Sequence, residues 1–272
     1  MNSKHSNIES GRLQQALERA AQRERSTRRQ SEPLQPLRIS PMKIDYSIDQ
    51  CIEHKVLAPD NPQTHPASAA AYRVLRTRFL HRARSNNWTT VGISSPGQGD
   101  GKSVSAINLA LSVARAGNHN VFLMDLDLRR PKTWQYLGAS PPREITDYLT
   151  GDAAAEDVLF SIGIENLTIA GAVTGTGEAS ELLAGPRILE LFSFIKSNAS
   201  NAMILIDLPP LLSTDDALIM AARVDACLLV VSEGRSRRDA AAKALELLED
   251  FNLAGIVLNR SKTMVTDYYT AY

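Results

Sequence analysis

The residues best suited to chemistry lie in one glycine-rich loop, Ser94-Ser-Pro-Gly-Gln-Gly-Asp-Gly-Lys-Ser103. Loops of this kind turn consecutive backbone N–H groups toward bound phosphates, and their glycines let the phosphates come close to the chain. Lys102 is expected to reach the β- and γ-phosphates of a nucleoside triphosphate, and the Ser103 hydroxyl to bind magnesium. Pro96 stands where the general pattern has its first glycine, so the loop alone could be a turn containing Gly-Lys-Ser by chance. The predicted nucleotide-binding residues are Gly97, Gln98, Gly99, Asp100, Gly101, Lys102, Ser103 and Val104.

Three aspartates at the ends of apolar runs form the second chemical feature. Asp125 and Asp127 follow residues 121–124 and lie two apart, so both can face one site from an extended chain, and Asp207 follows residues 203–206. Open parallel sheets bind ligands at the carboxyl ends of their strands. Any one of the three could be a strand-end cap, but together with the loop they favour a site for phosphate and magnesium.

The surrounding pattern supplies the elements that must position these residues. Short β-rich runs occupy residues 90–94, 121–124, 167–170, 203–206, 226–231 and 255–258. Helical patterns between them cover residues 102–116, 178–199 with a break at Gly185-Pro186, 214–223 and 237–250. Continuous apolar strands that alternate with helices predict an α/β fold, a mostly parallel sheet with helices on both faces.

Composition and net charge limit the classes of function that the sequence allows. The sequence has 30 Lys and Arg against 30 Asp and Glu, so no overall field favours nucleic acid, and no nucleic-acid partner is expected. Cys227 lies in an apolar run and is expected to be a buried thiol in a reducing compartment. Because no apolar run approaches the roughly 20 residues needed to cross a bilayer, we expect a cytoplasmic protein.

The chain is predicted to have three parts. Residues 1–40 are polar and rich in arginine, which indicates a mobile or partly helical arm that is either a solvated tether or a contact for acidic lipid or a partner. Residues 41–262 form the P-loop domain, and residues 263–272 form a tail that contains tyrosines. Within the domain, residues 67–84 have helical periodicity and a strongly basic face.

A P-loop, a strand ending in Asp-x-Asp-x-Arg and a strand ending in Asp-x-Pro-Pro together resemble the bacterial tyrosine kinases of polysaccharide export. The most specific piece is Asp125-Leu-Asp-Leu-Arg-Arg-Pro131. These autokinases work with chain-length determinant proteins and belong to the wider group of partition and septum-positioning ATPases. Those ATPases carry a second lysine in the loop at the place of Gly97, so its absence here favours the kinase branch.

The resemblance implies roles for the site residues. Lys102 and Ser103 would hold the phosphates and the metal, Asp127 and Asp207 would support magnesium, and Asp125 would accept the tyrosine proton. The division of labour between Asp125 and Asp127 stays open. Asn259 matches the adenine-side position of the family, although a turn asparagine is an equally good interpretation.

Two further features bear on substrate and assembly. Tyr268, Tyr269 and Tyr272 resemble the terminal tyrosine cluster that these kinases phosphorylate, against the alternatives of chance or a docked tail. Kinase relatives also carry Glu-x-x-Arg-x-x-Arg on the helix before the P-loop strand, where it pairs neighbours in a ring. Arg73 and Arg76 match this motif as interface residues, but Ala70 replaces the glutamate.

The sequence therefore predicts an ATP- and Mg²⁺-dependent tyrosine autokinase that regulates the export or chain length of a surface polysaccharide. Its own tail tyrosines are the expected substrate, and an integral-membrane activator would recruit it to the inner face of the membrane. Self-association stays open, because Ala70 replaces the family glutamate. The rival hypotheses are a nucleotide-switched ATPase of the partition type and a scaffold without kinase activity.

Overall fold

Eight strands build one sheet in the computed structural model, which describes residues 34–57 and 66–261. The strands are β1 Met42–Lys43, β2 Thr90–Ser94, β3 Asn120–Asp125, β4 Phe160–Ser161, β5 Leu167–Gly171, β6 Ala202–Asp207, β7 Ala226–Ser232 and β8 Leu253–Asn259. Their order across the sheet is β1-β4-β5-β3-β6-β2-β7-β8. Every neighbouring pair is parallel except β4 and β5, which are antiparallel.

Helices cover both faces of this sheet. They are α1 Ile48–Glu53, α2 Pro66–Asn86, α3 Lys102–Ala114, α4 Thr133–Leu137, α5 Ile145–Thr150, α6 Ala179–Ala184, α7 Arg187–Asn198, α8 Asp216–Ala221 and α9 Arg238–Leu247, with a 3₁₀ turn at Glu156–Val158. Helices α1 to α4 pack on one core and α5 to α9 on the other. None of these helices combines the length and apolar character needed to cross a membrane.

Side-chain alternation explains the continuous apolar runs inside the central strands. In β3, Val121 and Leu123 enter the core beneath α2 and α3, whereas Phe122 and Met124 enter the core beneath α5 to α9. Successive side chains of a strand point to opposite faces, so a strand covered on both sides is hydrophobic at every position. The predicted α/β fold with helices on both faces is confirmed.

The predicted elements match the structure except for two short strands at one edge of the sheet and the short helices α1, α4 and α5, which were not predicted. All six predicted strands are present, and the predicted helix 178–199 breaks between α6 and α7 at Gly185-Pro186. Strands β1 and β4 were not predicted, because two residues are too few to show a period. The N-terminal arm lies mostly outside the described residues, and the tail, 263–272, lies entirely outside them.

Register brings the chemical residues to one edge of the sheet. Asp125 on β3 is the register partner of Asp207 on β6, and Ile93 on β2 is the partner of Asp207 on its other side. Because all three strands run parallel, the P-loop after β2 and the carboxylates that end β3 and β6 emerge together.

Asp225 fixes the opposite end of the P-loop strand. Its Oδ2 accepts hydrogen bonds from the backbone N–H groups of Thr89 at 2.7 Å and Thr90 at 2.8 Å. Burial alone would raise the pKa of Asp225, but these donors hold it below the ordinary value of 3.8. The carboxylate therefore ties the start of β2 to the start of β7.

Replacing Asp225 with alanine should destabilise the fold, because the N–H groups of Thr89 and Thr90 lose a charged acceptor. We expect the free energy of unfolding at pH 7 to fall by about 1–3 kcal/mol in urea titrations. A folded pKa below 3.8 means that this contribution is present above pH 3.8 and is lost as the pH falls below it. Asp250→Ala, at an exposed position, is the control. Equal stability of the two variants at pH 7 would contradict this role.

Candidate nucleotide site

The phosphate loop is held in shape by its own side chains. Asp100 Oδ2 accepts the N–H of Gly97 at 3.0 Å, and Ser95 Oγ donates to the Gly97 carbonyl at 2.7 Å. Gly99 and Gly101 have φ values of 81° and 94°, a region that side chains with a Cβ rarely enter. Helix α3 begins directly after the loop at Lys102, so its N-terminus points toward the loop and favours a bound anion there.

Two residues at the end of β8 donate hydrogen bonds to carbonyl oxygens of the same loop. Asn259 Nδ2 donates to the carbonyl of Asp100 at 2.9 Å, and an Arg260 Nη2 donates to the carbonyl of Gly99 at 3.1 Å. A Cβ on Gly101 would overlap the Asn259 amide, so glycine is required there by space as well as by φ. The predicted contact of Asn259 with adenine stays a prediction, since its amide NH₂ contacts the loop backbone here.

Lys102 lies at the centre of the acidic cluster. Its Nζ is 2.7 Å from Asp127 Oδ2, 3.2 Å from Asp207 Oδ1 and 3.3 Å from Ser103 Oγ. Lys102 is only 8% exposed and Asp207 is fully buried, so these charges are largely removed from water. The structure therefore brings together the predicted P-loop lysine, the P-loop serine and two of the predicted carboxylates.

The cluster holds more negative than positive charge when it is ionised, since Lys102 faces three carboxylates. Burial alone would lower the pKa of Lys102, but the charges of Asp207, Asp127 and Asp125 raise it, so the lysine stays protonated. Burial raises the pKa of Asp207 to about 7, although Lys102 works in the opposite direction. Burial also raises the pKa of Asp125. Such a site is suited to bind a cation.

Both carboxylate oxygens of Asp125 accept hydrogen bonds from backbone N–H groups. Its Oδ2 accepts the N–H groups of Lys132 at 2.8 Å and Thr133 at 2.9 Å, and its Oδ1 accepts the N–H of Asp127 at 3.1 Å. Asp125 thus caps the first turn of α4 and fixes the loop that carries Asp127. Its predicted role as proton acceptor remains a prediction, and the structure adds a positioning role that the sequence did not reveal.

The donor set fits a magnesium ion that is also bound by phosphate. Asp207 Oδ2 is buried and has no hydrogen-bond partner among the described residues, so this oxygen keeps the capacity to accept a hydrogen bond from a metal-bound water. No group of three or more His, Cys, Asp or Glu side chains in the described ranges could hold a metal alone. Magnesium commonly takes one or two carboxylates and completes its shell with water and substrate phosphates.

Arg129, the arginine of the Asp-x-Asp-x-Arg motif, points away from the phosphate loop. Its Nε lies 2.7 Å from Asp216 Oδ2 at the start of α8, and an Nη2 donates to Ser180 Oγ at 2.9 Å. Asp216 is 1% exposed, so the pair is anchored in the protein. Arg129 therefore ties the loop after β3 to α6 and α8, a contact that sequence spacing could not reveal.

The predicted assembly and substrate residues lie apart from this site. Arg73 is exposed on α2, and Arg76 donates an Nη1 hydrogen bond to the Ser112 carbonyl at the end of α3. Their role at an interface between copies stays a prediction. The three tail tyrosines lie outside the described residues.

Comparison with known proteins shows that the chain is similar to tyrosine-protein kinases. The chain is 31% identical over 230 residues to the putative tyrosine-protein kinase EpsB of Ralstonia nicotianae, covering 81% of this chain and 29% of that protein. It is 28% identical over 223 residues to the tyrosine-protein kinase YwqD of Bacillus subtilis, covering 81% and 92%. This chain is a homologue of the bacterial tyrosine-protein kinases. It spans less than a third of the length of the EpsB relatives, and no family model matches it.

Solved structures place this bacterial tyrosine kinase homologue in the same fold group. The kinase domain of Escherichia coli tyrosine kinase ETK aligns with a TM-score of 0.67 at 26% identity, covering 76% of this chain and 82% of that one. The septum site-determining protein MinD of Pyrococcus horikoshii, solved with Mg-ADP, aligns at 0.52 and 28% identity, covering 64% and 72%. The predicted relation to P-loop partition and septum-positioning ATPases is confirmed.

Asp207→Asn should stabilise the nucleotide-free protein, because it removes one of three crowded carboxylates and leaves Asp127 to pair with Lys102. The folded pKa of about 7 exceeds the ordinary 3.8, so the contribution of Asp207 to stability falls as pH rises from 3.8 to about 7 and then levels off. We expect the variant to gain on the order of 1–3 kcal/mol over wild type by pH 8, and much less at pH 4. Thermal denaturation across this pH range measures the difference. A variant that is less stable than wild type at pH 8 would contradict this account, and Asp250→Asn is the control.

Proposed function

We propose that the chain is an ATP-dependent tyrosine autokinase that regulates the synthesis, export or chain length of a surface polysaccharide. The observation that carries the proposal is the contact of the phosphate-loop lysine with carboxylates from two strand ends, Asp127 and Asp207. Phosphoryl transfer depends on charge placed around the transferred group more than on covalent chemistry by the protein. The names of the homologues, tyrosine-protein kinases, support the choice of tyrosine as acceptor.

The residues of the site divide the work between them. The loop N–H groups from Gly97 to Val104 and the Lys102 ammonium would bind the phosphates of ATP and stabilise charge on the transferred group. To do so, Lys102 exchanges its present contacts with Asp127 and Asp207 for phosphate oxygens. Asp125, whose oxygens already accept three backbone hydrogen bonds, or Asp127, once released from the lysine, would accept the tyrosine proton.

Magnesium is the expected metal. Ser103, Asp127 and Asp207 would hold it, and the bound ion would supply positive charge that neutralises phosphate oxygens. The partly unsatisfied Asp207 carboxylate and the excess of negative charge support this assignment. The Asn259 side chain, beside the loop, is the proposed adenine-side residue.

The proposed substrate is the chain's own tail, through Tyr268, Tyr269 and Tyr272. We also propose that the protein acts in the cytoplasm and that an integral-membrane activator of the chain-length determinant class recruits it to the membrane. Self-association through Arg73 and Arg76 would present the tail of one copy to the site of another.

A nucleotide-switched ATPase that phosphorylates no protein is the second candidate, favoured by the structural likeness to MinD. The two hypotheses differ in the fate of the γ-phosphate. Protein-bound label after incubation with labelled ATP and a membrane partner supports the kinase, whereas free phosphate alone supports the ATPase.

Lys102→Met should abolish tyrosine phosphorylation, lowering the rate at least about 10²-fold, because the transferred phosphoryl group loses its main cation. The free energy of unfolding should also fall by on the order of 3 kcal/mol, since two buried carboxylates lose their partner. Radiolabel incorporation is therefore normalised to the folded fraction measured by circular dichroism. Lys196→Met, at an exposed position on α7, is the matched control. Wild-type turnover in Lys102→Met would remove this lysine from the mechanism.

Phosphate should accumulate on the tail tyrosines, and deletion of residues 266–272 should remove autophosphorylation while ATP affinity stays unchanged. Tyr268 follows Leu258 on β8 by ten residues, a span of at most roughly 33–36 Å when extended, which is enough to reach the site of a closely packed neighbour. Peptide mapping by mass spectrometry locates the label. Label confined to Tyr72, Tyr136 or Tyr148 would contradict the assignment of the tail as substrate.

A further inference from the structure

Three arginines converge on the tip of the phosphate loop from three different segments. Arg130, after β3, donates an Nη1 hydrogen bond to the Gln98 side-chain oxygen at 2.7 Å, and Arg260, after β8, donates to the Gly99 carbonyl at 3.1 Å. Arg235, after β7, lies against Gly99 so closely that a Cβ there would come within 2.5 Å of its Nη2. We call these three residues the arginine rim.

No member of the arginine rim pairs with a carboxylate in the ranges that the structure describes. All three members are exposed. Neighbouring arginines differ: Arg129 is paired with Asp216, and Arg237, two residues after Arg235, is paired with Asp239 at 3.0 Å. Positive charges that are close together and have no carboxylate partner repel one another and create a local positive potential that attracts anions.

The position of the rim distinguishes it from the nucleotide site. Phosphate loops present their N–H groups to the bound phosphates, and Arg260 contacts a carbonyl oxygen of the loop, which belongs to its other side. Gln98 and Gly99 are exposed, so the tip of the loop is open to an approaching molecule. An acceptor peptide that brings its tyrosine to the phosphate loop would lay its flanking residues over this tip.

We propose that Arg130, Arg235 and Arg260 bind the acidic residues of tyrosine-containing peptides and so make acidic peptides the preferred acceptors. The inference rests on the proposed kinase function. Guanidinium groups pair with carboxylates through forked hydrogen bonds, which gives direction as well as charge. The tail itself carries such a residue, because Asp267 directly precedes Tyr268.

The test compares two synthetic peptides as acceptors for the full chain with ATP and magnesium. One has the sequence of residues 266–272, and the other carries Asp267→Asn. For the wild type we expect a KM about three to ten times lower for the acidic peptide, with the difference shrinking in 0.5 M salt, roughly as expected of exposed charge pairs. The double variant Arg130→Gln/Arg235→Gln leaves the Arg260 contact with the loop carbonyl intact, and it should lose this preference while ATP affinity stays unchanged. Arg237→Gln, in the same loop but paired with Asp239, should keep it.

Three results would overturn the inference: equal KM values for the two peptides in the wild type, the same loss in Arg237→Gln, or weakened ATP binding in the double variant with the peptide preference intact. Fluorescence anisotropy of labelled peptides, in the presence of ADP and magnesium, separates the inference from the kinase function. Acidic peptide that binds through the rim but is never phosphorylated would contradict the kinase function and support the rim. Phosphorylation of both peptides without preferential binding of the acidic one would support the kinase function and contradict the role of the rim.

Discussion

The contact of Lys102 with Asp127 and Asp207 is the interaction on which the rest of the site depends. Three carboxylates emerge at one buried sheet edge, and each would lose hydration energy without a partner. A single lysine offsets part of that cost and leaves an excess of negative charge. The fold thus tolerates a concentration of buried negative charge that a bound cation would stabilise. Buried charge of this kind is a feature of function more than of stability.

Polar contacts outside the cluster keep it in place. The Asp125 carboxylate accepts hydrogen bonds from backbone N–H groups and so fixes the loop that carries Asp127. Arg129 ties the same loop to Asp216 on the far side of the sheet, and Asn259 holds the phosphate loop by a carbonyl. None of these three side chains contacts Lys102 through a hydrogen bond, yet each restrains a segment that carries a group of the site. Precise placement of charge requires such supporting contacts.

The sequence predicted the parts of this arrangement that follow from local pattern. Burial on both faces makes residues 121–124 of β3 and 203–206 of β6 apolar at every position, and the phosphate loop with Lys102 directly follows the buried strand β2. The strands, the loop and the sheet edge could therefore be predicted from the sequence. The partners of Asp125 and Arg129 were not, because they depend on how loops fold back over distances of 7 and 87 residues. Strand β4, next to the edge strand β1, was not predicted because it has only two residues, and its antiparallel pairing with β5 has no signature in so short a segment.

Two charge zones of opposite sign meet at one loop in a chain whose formal charges cancel. On the inner side, Asp127 and Asp207 attract cations, and on the outer side the arginine rim attracts anions. A polyanion such as ATP is repelled by the inner zone unless magnesium or Lys102 offsets the carboxylates, so loading of nucleotide and metal should be coupled. A negatively charged acceptor meets the positive rim first. The phosphate loop lies between the carboxylates and the arginine rim. ATP would bind on the inner side of the loop and an acidic peptide on the outer side, each in a different local field.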